Sequence, residues 1–250
     1  MMGCVFVVTA DDLGLNTDVN RAIFQLFDKG LCSRASMISN MNAFDDAISL
    51  SYKHGVESKI GVHLNVTEGF PLTDAIKKCD IFCDKNGLFS FKKSNISFCF
   101  SKKTQHLVYD EFCAQIEKCT TAGMKVGFVD THHHIHENPL LFYIIREVLN
   151  AKSISCLRKV QNIKPGKKII KRYYRSFLNY SIEKRNLGCT DYFGDLKMVM
   201  ESVATKNFTD SRFEVMVHPG RSDGKSVYDV FDGRCLDEDI RYLKQYGVIS

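Results

Sequence analysis

No stretch of this sequence approaches the roughly 18 apolar residues that a membrane-crossing helix needs. A secretory leader is not expected either: residues 1–10 are apolar but lack a basic start and run directly into Asp11-Asp12. The G-x-G-x-x-G and G-x-x-x-x-G-K-[ST] signatures are absent, so nucleotide binding has no support. Prolines number only four and charged residues make up 25%, which argues against disorder. None of the ten cysteines is spaced Cys-x-x-Cys. Cys4, Cys113 and Cys156 fall inside apolar patterns, where a thiol behaves as a small hydrophobe. The expectation is a reduced, cytoplasmic protein with no stable membrane insertion, rather than a disulfide framework.

What is present fits one domain. A chain of 250 residues with 44% apolar content can bury a substantial core as a single α/β unit over residues 1–250. The net charge of +5 is mild, and much of the excess sits in Lys164 to Arg185. That basic, amphipathic stretch reads as a solvated helix face, with contact to an anionic partner or substrate as the alternative, and no nucleic-acid partner is expected.

Cys4 to Ala10 is a continuous apolar, β-branched run, as in a strand buried on both faces of a parallel sheet. It stops at Asp11-Asp12-Leu-Gly. A helix capped by Asn16 or Thr17 follows and ends at Gly30. Ala35 to Ser39 and Lys59 to Val66 read as further strands, the second with His63 near its carboxyl end. Residues 67–103 show no clear helix and hold Asn86-Gly87 and several aromatics, including Phe82, Phe89, Phe91, Phe98 and Phe100. This reads as an insertion that borders a binding pocket, as a surface hairpin, or as both. A helix over Gln105 to Thr121 leads to the strand ending at Asp130, and Pro139 opens the next helix. Ser153 to Leu157 reads as a strand with Arg158 at its end. Asp191-Tyr-Phe-Gly194 follows a short strand, Phe213 to Val217 is the last clear strand, and Leu236 to Tyr246 closes the chain as a helix. Strands alternating with helices predict βαβ units and a mostly parallel sheet.

Four of these strands end in Asp or His: Asp11-Asp12, His63, the cluster Asp130-Thr-His132-His133-His134-Ile-His136, and His218. Ligands of parallel α/β folds bind at the carboxyl ends of strands, so four such ends point to one site. One carboxylate with two imidazoles suits a divalent ion that polarises a carbonyl and activates water. Adjacent aspartates on an extended strand face opposite ways. A sharp turn helped by Gly14 would bring both to the pocket, one to ligate a metal and the other to take a proton.

Thr9-Ala-Asp-Asp-Leu-Gly-Leu with Asn20, Gly61-Val-His-Leu-Asn, Asp130-Thr-His-His-His-Ile-His136 and Val217-His-Pro-Gly220 together resemble the YdjC/ChbG-like carbohydrate deacetylases. The resemblance runs in order from near residue 5 to near residue 240. It implies a distorted (β/α) TIM-like barrel and a metal-dependent hydrolase that removes acetyl groups from N-acetylated amino sugars. Asp12, His63 and His132 match the metal ligands of that family, Asp11 its general base, and His218 the acid or a stabiliser of the intermediate. His133 departs from it, standing where glutamine is usual, which keeps His134 in reserve as a ligand. His136 and Asp130 are further reserve or supporting residues, Asp130 to orient an imidazole. Arg158 and Asp191 lie where the family has similar elements and are expected to bind substrate. One divalent ion is implied, zinc by the donor types or magnesium by the resemblance. The expected partner is a small acetamido-sugar substrate, and a homodimer is compatible with the sequence. The rival readings are a metal-dependent phosphoester hydrolase on a barrel and a non-catalytic sugar-binding protein.

Overall fold

The computed structural model describes residues 3–92, 100–164, 168–188 and 190–250. The expectations for Phe98 and for residues 165–167 lie outside the described residues. In chain order the elements are β1 (Cys4–Leu13), α1 (Thr17–Asp28), β2 (Arg34–Met37), α2 (Phe44–His54) and β3 (Ile60–Leu64). Then come α3 (Lys102–Thr121), β4 (Val129–Thr131), α4 (Pro139–Ala151), α5 (Ile169–Lys184), β5 (Tyr192–Asp195) and α6 (Leu196–Thr205). The last are β6 (Arg212–Val217), β7 (Pro219–Ser222), β8 (Val227–Asp229), α7 (Leu236–Leu243) and β9 (Gly247–Ile249).

The main sheet has the order β4-β3-β2-β1-β6-β5, with β9 also paired to β1. Its pairings are parallel, so the carboxyl ends of its strands gather on one side. The irregular segment after α4 joins the two edges of the sheet. Leu157 bridges to Val129 of β4, and Asn162 Oδ1 accepts from the Phe193 amide of β5 at 2.8 Å. The strand expected over Ser153 to Leu157 is therefore mostly this seam, with regular pairing only at Leu157. The result is the distorted (β/α) barrel that the resemblance implies, built on the mostly parallel sheet that the strand–helix alternation predicts.

β1, β3 and β6 form where the apolar runs predict them, because both their faces are covered, whereas β5 is Tyr192–Asp195 itself, the segment expected to follow a strand. Phe6, Val8 and Ala10 of β1 are buried, and each large side chain so buried stabilises the fold by roughly 1.5–3 kcal/mol. Asn16 caps α1 by accepting from the amides of Asp18 and Val19. Between them lies Gly14 at φ 91°, where an added Cβ would sit 2.8 Å from the Ile38 carbonyl, so only glycine fits this turn. The buried Asn20 amide locks the same turn, accepting from the Gly14 amide at 2.7 Å and donating to Ala43 and Asp46.

Four aromatic side chains of the insertion pack inward. Phe82, Phe89, Phe91 and Phe100 are buried and join the main core with Val108 and Phe112 of α3. Phe82 stacks on Phe91 at 5.0 Å and meets Phe100 edge-on at 5.4 Å. Glu111 of α3 ties the segment down by accepting from the amides of Leu72 and Thr73. These aromatic rings belong to the core, while Thr67 and Glu68 at the start of the segment reach His133 and His132.

Cys156 also departs from expectation: it is disulfide-bonded, so the reduced state expected for the whole chain does not hold there. Cys4 and Cys113 are free thiols as expected. No helix among the described residues is long and apolar enough to cross a membrane.

Candidate active site

A cavity of about 520 Å³ opens at the carboxyl ends of the strands, and Asp11, Asp12, His63, His132 and His218 all line it. The first pair arrives by a break in register. Ala10 of β1 pairs with Ala35 of β2, but the next pair is Leu13 with Met37, so Asp11 and Asp12 together oppose only Ser36. This is a β-bulge. Asp12 takes up the extra residue in the left-handed region at φ 68°, which Asp tolerates better than most side chains. The bulge, more than the Gly14 turn, is what lets two adjacent carboxylates share one cavity.

His63 comes from β3, in register with Asp130 of β4. Its Nδ1 lies 2.5 Å from Asp130 Oδ1, while Nε2 points to Asp12 Oδ1 at 3.4 Å. Asp130 is itself fixed by Ser36 Oγ at 2.5 Å and by Arg158 Nη2 at 2.6 Å. This contact is of the kind that orients an imidazole.

The histidine cluster does not act as one unit. After β4 the chain makes a 3₁₀ turn interrupted by left-handed residues His133 and His134, which sends the four rings in different directions. His132 turns inward, with Nδ1 2.9 Å from Asp12 Oδ1 and Nε2 2.6 Å from Glu68 Oε1. His133 is exposed at the rim with Nδ1 3.0 Å from Thr67 Oγ1. His134 lines the cavity beside Phe193, with ring centres 5.8 Å apart. His136 is fully buried, its Nδ1 2.6 Å from Thr131 Oγ1.

The donor set fits a divalent cation. Asp12 Oδ1 is a buried oxygen with no hydrogen bond, although nitrogens of two imidazoles lie close to it. The other nitrogen of each ring is already occupied by a carboxylate, Asp130 or Glu68, the arrangement that orients metal-binding histidines. Burial would raise the Asp12 pKa, but contact with His132 and His63 and their charge hold it well below the usual carboxylate range. For His63 burial works downward, yet the charges of Asp130 and Asp11 and its bonded contacts push its pKa up to about 10. His132 is likewise raised against its burial by Asp12 and Glu68.

Asp11 faces a different partner. Arg158 grips it with two hydrogen bonds of 2.6 and 2.7 Å. The same guanidinium reaches Asp130 at 2.6 Å and Glu214 at 2.7 Å, and is fully buried. Arg158 was expected on the substrate; it lies beneath the cavity floor instead, with its donors committed to three carboxylates. Asp191 also departs from expectation. It precedes β5 at the amino-terminal end of the barrel, is exposed, and accepts from the Arg212 amide at 2.8 Å. The residue of that strand that reaches the cavity is Asp195, at its other end. His218, at the end of β6, sits across from Asp11 with Nε2 4.0 Å from Oδ2.

Sequence reasoning missed the opposite wall, formed by Asp229, Phe231, Asp232 and Arg234 after the small β7–β8 ribbon. That ribbon has no hydrophobic periodicity to announce it. Glu68 was also missed; its one signal was position, a carboxylate just beyond the His63 strand end. Glu214 sits inside an apolar strand, and that buried charge was the available sign of an ion-pair partner.

Comparison with known proteins places this geometry. The model of the family described as YdjC-like protein matches residues 5–245. A carbohydrate deacetylase of Clostridium beijerinckii is 26% identical over 224 residues, covering 88% of this chain and 82% of that protein. One from Geobacillus stearothermophilus is 27% identical over 191 residues, 76% of this chain and 74% of that protein. A crystal structure from Enterococcus faecalis V583, described as a candidate cellobiose-phosphate cleavage protein, superposes with TM-score 0.76 at 18% identity. It covers 99% of this chain and 96% of its own, and at that identity the likeness concerns the fold. A family match over nearly the full length, on a barrel whose Asp and His residues meet in one cavity, means that the chain belongs to the YdjC-like protein family.

Proposed function

We propose that the chain is a metal-dependent carbohydrate deacetylase that hydrolyses the acetamide of an N-acetylated amino sugar to acetate and a free amine. The observation that carries this reading is the meeting, in one cavity, of a hydrogen-bond-free Asp12 oxygen between two imidazoles with Asp11 and His218. The names of the relatives support it. Asp12, His63 and His132 would hold the cation. When bound, a divalent cation supplies Lewis-acid polarisation of the amide carbonyl and of water.

This chain's own residues do the rest. Asp11 takes the proton of the attacking water, held in one orientation by its two-point contact with Arg158. Asp130 keeps the His63 ring turned so that Nε2 faces the cavity. His218, on a separate strand, gives a proton to the departing nitrogen, a poor leaving group without one. The floor beneath Asp11 is dry, because Arg158 and Glu214 are buried there, so charge that develops in the cavity is little screened.

Mass spectrometry of a panel of N-acetylated sugars after incubation tests the proposal: one acetyl group should be lost, with acetate released. A second reading, phosphoester hydrolysis with two metals, is favoured by one observation. Glu68, His132 and His133 form another donor set that shares His132. Two metal equivalents per chain, with phosphoester turnover and no acetyl loss, would replace the deacetylase reading.

A further inference from the structure

Phe231 is a large apolar side chain left 73% exposed at the edge of the cavity. A single exposed phenylalanine is ordinary on a protein surface. This one is held in place by several contacts of its own loop. Its own amide donates to Asp229 Oδ1 at 2.9 Å, and the Val230 amide donates to the His218 carbonyl at 2.9 Å. Gly233 closes the turn by donating to the Asp229 carbonyl at 3.1 Å. Val230 packs so tightly on Gly220 that a Cβ there would come within 1.8 Å of it. The His218-Pro219-Gly220 sequence thus seats the loop: Pro219 pairs with Asp229, and Gly220 leaves room for Val230. The Phe231 ring then stands edge-on to His218, with centres 4.6 Å apart and planes at 85°.

The fold therefore fixes a water-facing aromatic ring beside the proposed proton donor, and nothing within the described chain covers it. Around it the wall is polar, with Asp195, Asp232 and Arg234. A pyranose ring matches both: its carbon-bound hydrogens pack on an aromatic face, while its hydroxyls bond to charged side chains at the edge. Most small-molecule sites combine apolar contact area with a few placed polar groups in this way.

We propose that Phe231 is the platform on which the sugar ring of the substrate stacks, and that it sets the specificity of the site for acetamides carried on a pyranose. This rests on the deacetylase reading for its substrate class. The platform acts on binding, so its signature is a split between KM and kcat.

The test compares wild type, Phe231→Ala and Phe231→Tyr on the disaccharide of N-acetylglucosamine and on trifluoroethyl acetate, a small ester with no ring. Calorimetry of the same disaccharide, with each Phe231 form in an Asp11→Asn background, measures binding without turnover. Phe231→Ala should raise KM and weaken binding by about tenfold, with kcat and the pH profile close to wild type. Phe231→Tyr should restore both, and ester hydrolysis should be unaffected. Unchanged KM and affinity in Phe231→Ala, with acetate still released by wild type, would remove the platform and leave the deacetylase reading. An equal loss on the ester would make Phe231 a support for His218 and also overturn the platform. Phe231-dependent binding with no acetate release would keep the platform and overturn the reaction. Absence of disaccharide binding by wild type would overturn the platform.

Discussion

Asp11 and Arg158 meet through two parallel hydrogen bonds, Nη1 to Oδ2 at 2.6 Å and Nη2 to Oδ1 at 2.7 Å. The guanidinium also answers Asp130 and Glu214, so one buried cation holds three buried carboxylates. Arg158→Met should therefore cost about 3–5 kcal/mol of stability, because it leaves Asp11 buried without its close ion-pair partner and takes one of two cationic partners from Asp130 and from Glu214. Arg158→Lys keeps the charge but not the planar fork, and should also lose stability and activity. Thermal melts decide this; a lysine variant that melts and turns over like wild type would show that charge alone suffices.

The ligand set predicts a sharp division between adjacent residues. Asp12→Ala, His63→Ala and His132→Ala should each lose bound metal, since three ligands leave no spare. Asp11→Asn should retain metal and lose about 10²–10⁴-fold in turnover. Elemental analysis of the purified variants checks it. If Asp11→Asn stripped the metal while Asp12→Ala kept it, the two roles would be exchanged.

Metal binding should depend on pH in a stated direction. Without metal, His63 titrates at about 10 and is charged at neutral pH. Its raised pKa stabilises the metal-free fold fully below the usual imidazole value of 6.5, and that contribution fades as pH rises through about 10. A cation needs the neutral ring, so affinity should increase with pH over the same range and binding should release protons. Zinc titration calorimetry at about pH 6 and about pH 8, in buffers of different ionisation enthalpy, counts those protons. Affinity indifferent to both pH and buffer would take His63 out of the ligand set.

His218→Ala should keep its metal and lose roughly 10²–10⁴-fold on an amide. An activated acetyl ester, whose leaving group needs no proton, should recover most of that loss. The same proportional deficit on both substrates would assign His218 to holding substrate or charge instead.

The insertion should behave as core. Phe82→Ala should lower stability by about 3–5 kcal/mol while the folded fraction keeps its kcat. A variant with normal melting and an altered sugar profile would place Phe82 at the border of the pocket instead.

The parts of the site that were legible in the sequence are those carried by local pattern. Buried strands announce themselves by β-branched runs, and Asp11-Asp12, His63, Asp130, His132 and His218 stand at or near their ends. What could not be read depends on register between distant strands. Nothing near Arg158 foretells that Asp11, Asp130 and Glu214 converge on it, since those contacts span 147, 28 and 56 residues. Asp191 was misplaced because β5 is short and its direction decides which end meets the cavity. The wall from Asp229 to Arg234 was invisible because it hangs on a two-stranded ribbon set by turns, not by apolar periodicity.

The bulge in β1 has a cost that a stability screen would expose. Deleting one residue between Ala10 and Leu13 would restore one-to-one pairing with β2 and remove the left-handed residue at position 12. The ladder would be smoother, but the residue lost would be Asp11 or Asp12, and only one carboxylate would remain in the cavity. A library selected for heat resistance would enrich that deletion, and one selected for acetate release would discard it. Folding and chemistry thus pull this short length of backbone in opposite directions.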